Sequence, residues 1–168
     1  MYDTDGGNET VHAGGGYDVI VDHQGINWLY GEGGDDWIIS ATDQGSLLDG
    51  GEGNDTLFAS FGGNTLVGGS GNDLLEVQEG GAIANFFTGG ADADTFVYRA
   101  GVSIEGNVTV TDFQDGVDHI GIRFQPFDQL TITDSAEGAV ITYYDYSPML
   151  LAGISASQIT QDDFLLVA

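Results

Sequence analysis

The sequence predicts an all-β chain: a right-handed parallel β-roll (β-helix) of stacked 18-residue turns over residues 1–97, then a β-rich cap with antiparallel strands over residues 98–168. Three observations carry this. A nine-residue template (Gly, Gly, any, Gly, any, Asp, any, apolar, any) appears in full as GGEGNDTLF (50–58) and GGSGNDLLE (68–76). Between them ASFGGNTLV (59–67) keeps only the second half, with Asn64 for the aspartate and Leu66 for the apolar residue, so strong and weak halves alternate. Beyond Val97 the glycine repeats stop and apolar residues alternate with polar ones, as in strands.

Each strong half reads as a six-residue turn followed by a three-residue strand. Successive glycines permit left-handed backbone and close chain approach. The central residue of the strand points inward. In chain order, residues 1–12 form a partial repeat, and AGGGYDVIV (13–21) is the first strong half, with Ala13 for the first glycine. DHQGINWLY (22–30) is a weak half. GEGGDDWII (31–39) is strong, with Glu32 for the second glycine. Residues 40–49 and 77–88 are longer weak halves, and GGADADTFV (89–97) is the last strong one, with Asp92 for the fourth glycine. Two strands per 18 residues wind a flattened coil with two parallel sheets. Ile20, Ile38, Leu57, Leu75 and Phe96 form one inward row, and Leu29, Leu48, Leu66 and Phe87 face them.

One apolar residue in nine makes a thin core for so many glycines. The strong halves carry Asp18, Asp36, Asp55, Asp73 and Asp94 in register, whereas the weak ones carry Asn27, Ser46, Asn64 and Asn85. Stacked turns bring equivalent carboxylates to within roughly 4.8 Å. Backbone carbonyls lie beside them: Gly14, Gly16, Gly31, Gly33, Gly50, Gly51, Gly53, Gly68, Gly69, Gly71, Gly89 and Gly90. An all-oxygen site with two carboxylates suits Ca²⁺ better than Mg²⁺, which gives up its water reluctantly. About four ions are expected, in the gaps 18/36, 36/55, 55/73 and 73/94. The weak edge is expected to be poor in ions, and Asn64→Ala to cost little.

Composition agrees. The net charge is −25, from 27 acidic residues against only Arg99 and Arg123. That balance excludes a phosphate-neutralising nucleic-acid surface and docking on anionic lipid. The chain is nevertheless 41% hydrophobic, which fits one that collapses once cations neutralise it. There is no cysteine, and no apolar run reaches bilayer length, so no membrane insertion is expected. The chain opens in repeat-like sequence with no charged-then-apolar leader, and reads as a piece of a longer protein.

After the repeats, NVTVTD (107–112), DHIGIRF (118–124), QLTITD (129–134) and AVITYY (139–144) alternate as antiparallel strands do, with turn signals at Asp115-Gly116, Pro126 and Glu137-Gly138. SASQITQDD (155–163) offers a helical turn capped by Ser155 or Ser157. Asp112, Asp115 and Asp118 fall at D-x-x-D-x-x-D spacing, read as turn and strand-end chemistry or as a further cation seat. His12, His23 and His119 are scattered, and no serine–histidine–acid arrangement presents itself, so no catalysis is expected. On the outward positions, Val19, Val21, Trp37, Ile39 and Phe58 make an apolar stripe, with Trp28 and Tyr30 on the opposite sheet. Of these, Trp28, Tyr30, Trp37 and Phe58 are the candidate ligand-binding surface.

The repeats over residues 5–97 resemble the C-terminal region of an RTX (repeats-in-toxin) protein. ADTFVY (93–98) with TDFQDGVDHIGI (111–122) resembles the segment after the last repeat in such proteins, and ITQDDFLLVA (159–168) resembles the portion read by type I secretion machines. The resemblance implies a bacterial secreted module that passes its exporter unfolded and folds outside on meeting calcium. Its implied partners are an upstream domain and the type I secretion apparatus. The alternative is a polysaccharide-binding accessory module of a secreted carbohydrate-active enzyme such as an alginate epimerase, with Trp28, Tyr30 and Trp37 stacking on sugars.

Overall fold

A computed structural model describes residues 1–4, 6–42, 44–60, 62–77, 83–98, 107–123, 127–143 and 148–167. Arg99 and the turn signal at Pro126 lie outside these ranges. The described residues form β1 (Tyr2–Thr4), β2 (Thr10–Gly15), β3 (Val19–Asp22), β4 (Trp28–Gly33), β5 (Trp37–Ser40), β6 (Leu47–Glu52), β7 (Thr56–Ala59), β8 (Thr65–Ser70) and β9 (Leu74–Val77). They continue with β10 (Asn85–Ala91), β11 (Thr95–Tyr98), β12 (Val108–Val110), β13 (His119–Ile122), β14 (Leu130–Asp134), β15 (Gly138–Tyr143), β16 (Met149–Ala152) and β17 (Phe164–Leu166). No described helix is long and apolar enough to cross a membrane.

Odd and even strands separate into two sheets, as a coil with two strands per turn requires. One sheet runs β1-β3-β5-β7-β9-β11-β13-β17, and the other β14-β15-β16-β12-β10-β8-β6-β4-β2. Every pairing along the repeats is parallel, with Ile20, Ile38, Leu57, Leu75 and Phe96 in register across the first sheet. Leu29, Leu48, Leu66 and Phe87 align across the second. All nine side chains are fully buried. Phe113 closes over Phe96, with ring centroids 6.2 Å apart.

Three expectations are corrected. The first three residues of each strong half finish the preceding strand: β6 includes Gly50, Gly51 and Glu52, and β8 includes Gly68, Gly69 and Ser70. The turn is therefore three residues long, 53–55 in that half, not six. Second, β12 and β13 run parallel to β10 and β11, so the two ladders continue past residue 97. Antiparallel pairing is confined, among the described residues, to β14 with β15 and β15 with β16. Third, Gln161–Asp163 forms a 3₁₀ turn capped by Thr160 rather than Ser155 or Ser157, in a box closed by the Asp163 carboxylate.

Candidate metal centre

Each strong half ends its three-residue turn on an aspartate, immediately before a strand of the first sheet. Asp36, Asp55, Asp73 and Asp94 are at most 2% exposed, whereas Asp18 in the first turn is half-buried. Their carboxylates form one ladder. Asp36 Oδ1 accepts the Asp18 N–H at 2.7 Å, Asp55 Oδ1 that of Asp36 at 2.7 Å, and Asp73 Oδ1 that of Asp55 at 2.7 Å. Asp94 Oδ1 accepts the Asp73 N–H at 2.9 Å. Backbone donors thus satisfy one oxygen of each carboxylate. The second is different. Oδ2 of Asp36, Asp55, Asp73 and Asp94 is buried with no hydrogen-bond partner.

These oxygens point into space that glycine keeps open. A Cβ built on Gly31, Gly50, Gly68 or Gly89 would overlap Oδ2 of Asp36, Asp55, Asp73 or Asp94 respectively. On Gly31 it would also come within 2.6 Å of the Gly50 carbonyl oxygen, and on Gly68 within 2.6 Å of that of Gly89. One carboxylate oxygen and one carbonyl from the following turn therefore converge, which is a donor set for a hard cation. Of the other carbonyls expected to ligate, those of Gly16, Gly51, Gly53 and Gly69 pack against the next turn's Gly34, Gly69, Gly71 and Gly90. The Gly33 carbonyl accepts the Gly16 N–H at 2.6 Å, and that of Gly90 the Gln114 amide at 3.0 Å. Gly14, Gly31 and Gly68 lie on β2, β4 and β8, and Gly71 opens the turn after β8.

The electrostatics follow from crowding acids away from water. Burial pushes the Asp55 carboxyl up to about 6, that of Asp73 to about 7 and that of Asp94 to about 6. Neighbouring carboxylates push the same way, while the ladder N–H bonds pull down. Asp36 and Asp118 are raised for the same leading reason. Arg123, the described arginine, is bound 2.8 Å from Glu76 on the outer side of the first sheet. A buried carboxylate without a counter-charge is costly, and a divalent cation facing the Oδ2 atoms removes that cost.

Sequence reasoning missed the far end of the ladder. Asp118 Oδ1 accepts the Asp94 N–H at 3.1 Å and its Oδ2 the Gln114 N–H at 2.8 Å. Asp112 accepts from Gly89 and Gly90 N–H at 2.9 Å each. Asp115 is not brought to them; it is exposed and reaches Gln158 at 3.5 Å. A signal was present: Asp118-His119-Ile120 repeats the Asp-any-apolar half of the template.

The weak edge is also a ladder. Asn27 Oδ1 accepts the Glu9 N–H at 2.6 Å, Ser46 Oγ that of Asn27 at 3.1 Å, Asn64 Oδ1 that of Ser46 at 2.9 Å and Asn85 Oδ1 that of Asn64 at 2.9 Å. All four are buried, so the expectation that Asn64→Ala costs little is corrected. The outward aromatics fall on opposite faces. Trp37 and Phe58 lie outside the first sheet, and Trp28 and Tyr30 outside the second, where Tyr30 stacks on His12 with centroids 4.8 Å apart.

A family model describing the RTX calcium-binding nonapeptide repeat (four copies) matches residues 3–47, 40–75 and 79–103. Comparison with curated proteins finds no match. Among solved structures, the chain is similar to extracellular lipase LipA from Serratia marcescens at 15% identity and a TM-score of 0.40, covering 94% of this chain and 40% of the lipase. It is also similar to the AlgE6R3 subunit of the Azotobacter vinelandii mannuronan C5-epimerase, at 19% identity and a TM-score of 0.37, over 96% of this chain and 79% of that subunit. The chain thus spans well under half of the lipase. With the repeat model matched over more than half its length, this chain belongs to the family of proteins carrying RTX calcium-binding nonapeptide repeats.

Proposed function

We propose that the chain is a calcium-dependent folding module of a secreted bacterial protein. It stays unfolded where calcium is scarce, passes a type I exporter in that state and folds outside the cell, where it supports the stability of an attached upstream domain. It has no catalytic role of its own. The observation that carries this reading is the row of buried, partnerless Oδ2 atoms on Asp36, Asp55, Asp73 and Asp94 in a chain of net charge −25. Calcium supplies the charge that these oxygens lack, and the glycine carbonyls supply neutral ligands. Each ion held at about a hundred times its dissociation constant adds about 2.7 kcal/mol to the folded state, so a row of them decides whether a thin-cored coil forms.

Circular dichroism with and without chelator tests this. Excess chelator should abolish most strand signal, and millimolar calcium should restore it. A chain equally folded in both conditions would end the proposal.

A second reading, binding of a polysaccharide, rests on Trp28, which is 42% exposed beside the stacked Tyr30–His12 pair. Glycan titrations of the calcium-loaded chain test it. Absence of binding to neutral and acidic polymers alike would retire it.

A further inference from the structure

The repeat spacing puts the ions between Asp18 and Asp94, but the buried partnerless oxygens belong to Asp36, Asp55, Asp73 and Asp94, Asp18 being only half-buried. The two rows differ by one turn, and each end has a structural cause for it.

At the first turn, Ala13 stands where Gly31, Gly50, Gly68 and Gly89 stand later. In those turns the missing Cβ is the point where the aspartate Oδ2 lies, joined at Gly31 and Gly68 by the next turn's carbonyl and at Gly89 by the edge of the Phe96 ring. None of the four glycines has a left-handed φ, so glycine is there for space and not for backbone freedom. Alanine therefore fits the backbone at residue 13, and its methyl group occupies the place where donors meet.

At the other end, polarity decides. In the pairs that the structure shows most directly, the carboxylate oxygen comes from one turn and the carbonyl from the following one: Asp36 with Gly50, and Asp73 with Gly89. Asp94, fully buried with Oδ2 unsatisfied, then needs a turn after it, although the repeats end at Val97. Residues 112–118 provide one. Asp112 lies two residues beyond the Phe87–Val110 pair, in register with Gly89, and clamps the Gly89 and Gly90 N–H groups. Gln114 takes the Gly90 carbonyl with its amide and gives its own N–H to Asp118 Oδ2. Asp118 occupies the ladder position with both oxygens satisfied by backbone donors, so it ends the row without calling for a cation of its own.

We propose that the calcium row runs from Asp36 to Asp94, its last carboxylate backed by the non-repeat turn 112–118 and its first turn kept free of metal by Ala13. This rests on the calcium reading above and fixes which turns carry it out.

Native mass spectrometry and calorimetric titration of the full chain with calcium chloride test it. Asp18→Asn should leave the stoichiometry unchanged. Ala13→Gly should bind one calcium more than the wild type, and adding Asp18→Asn to that variant should remove the extra ion. Asp94→Asn should bind one fewer. Loss of an ion in Asp18→Asn alone, or an unchanged count in Ala13→Gly, would overturn the displaced row while leaving calcium binding intact. A wild-type chain that binds no calcium would instead overturn the calcium reading itself. The Asp18 and Ala13 substitutions sit at the open end of the coil, so the test does not depend on Asp94→Asn folding.

Discussion

The two edges of the coil use one backbone solution and differ by a single atom. On both, a side-chain oxygen accepts the N–H of its counterpart one turn back, at 2.7 Å from Asp36 to Asp55 and 2.9 Å from Ser46 to Asn64. On the neutral edge the remaining atom of asparagine is a donor, and in the inner turns it finds an acceptor nearby: Asn27 Nδ2 reaches the Gln24 carbonyl at 2.8 Å, and Asn64 Nδ2 the Asn85 Oδ1 at 3.3 Å, whereas Asn85 Nδ2 at the end of the row is buried without a partner. On the aspartate edge the remaining atom is an acceptor among acceptors, and it has no donor. The neutral edge is therefore complete as protein up to Asn64, with one unsatisfied amide at Asn85. The aspartate edge is complete only with a cation. The same ladder thus builds a permanent hinge line on one side and a conditional one on the other.

The largest expected effect separates the edges by substitution. Asp55→Ala removes a proposed ligand oxygen and also the acceptor of the Asp36 N–H. In saturating calcium it should lose at least one bound ion and about 3 kcal/mol or more, taking roughly 2.7 kcal/mol for the ion and the rest for an unsatisfied buried donor. Asn64→Ala orphans the buried Ser46 N–H and should cost about 1–3 kcal/mol with the calcium count unchanged. Urea denaturation at saturating calcium, paired with calcium counting, reads both. Loss of calcium by Asn64→Ala would erase the proposed difference between the edges.

A smaller effect comes from titration. Burial raises the folded-state values of Asp55, Asp73 and Asp94 from 3.8 to about 6, 7 and 6. Between about pH 4 and 7 the metal-free folded chain holds protons that the unfolded chain has released, so its stability falls as pH rises across that window. On the proposed assignment, protons and calcium compete for one set of oxygens. In chelator, strand content at pH 5 should exceed that at pH 8. The calcium concentration that half-saturates binding to the folded chain should rise as pH drops from 7 to 5. The neutral edge carries no carboxylate in its ladder and contributes nothing to this dependence, so a calcium midpoint indifferent to pH would contradict the assignment to the aspartates.

How much of this was legible in sequence depended on what the repeat encodes. The inward rows were, because a period of nine with one apolar residue leaves only one way to bury Ile38, Leu57 and Leu75 together. The aspartate register was legible for the same reason. Turn length was not: Gly50 and Gly51 look like turn residues, yet they are strand residues chosen so that neighbouring turns can approach. Strand direction past residue 97 was not either. Alternation in Val108–Val110 and His119–Ile122 marks strands with two faces, and parallel and antiparallel strands share that period. Asp118 was hidden because the segment before it has Asp112 and Gln114, not glycines, shaping the turn through side-chain hydrogen bonds. The function of the neutral asparagines was hidden by treating the absence of charge as the absence of a role.

The smallest expected effect isolates backbone from metal on the aspartate edge. Glu32 and Asp92 are the two non-glycine residues with left-handed φ among those described, at 74° and 78°. They stand where Gly51 and Gly71 have φ of 107° and 118°. Asp92 also adds negative charge beside Asp73 and Asp94, so its replacement would mix two effects. Glu32 is cleaner: its carboxylate meets only the exposed His12 ring, 2.8 Å away, and such a surface pair contributes little. Glu32→Gly should therefore relieve left-handed strain and raise stability by roughly 1 kcal/mol in saturating calcium, with the ion count unchanged. A thermal melt and a calcium titration on the same sample check both halves. Destabilisation would mean that the Glu32–His12 contact outweighs the strain. A changed ion count would mean that the second position of the template acts on the metal and not only on the backbone.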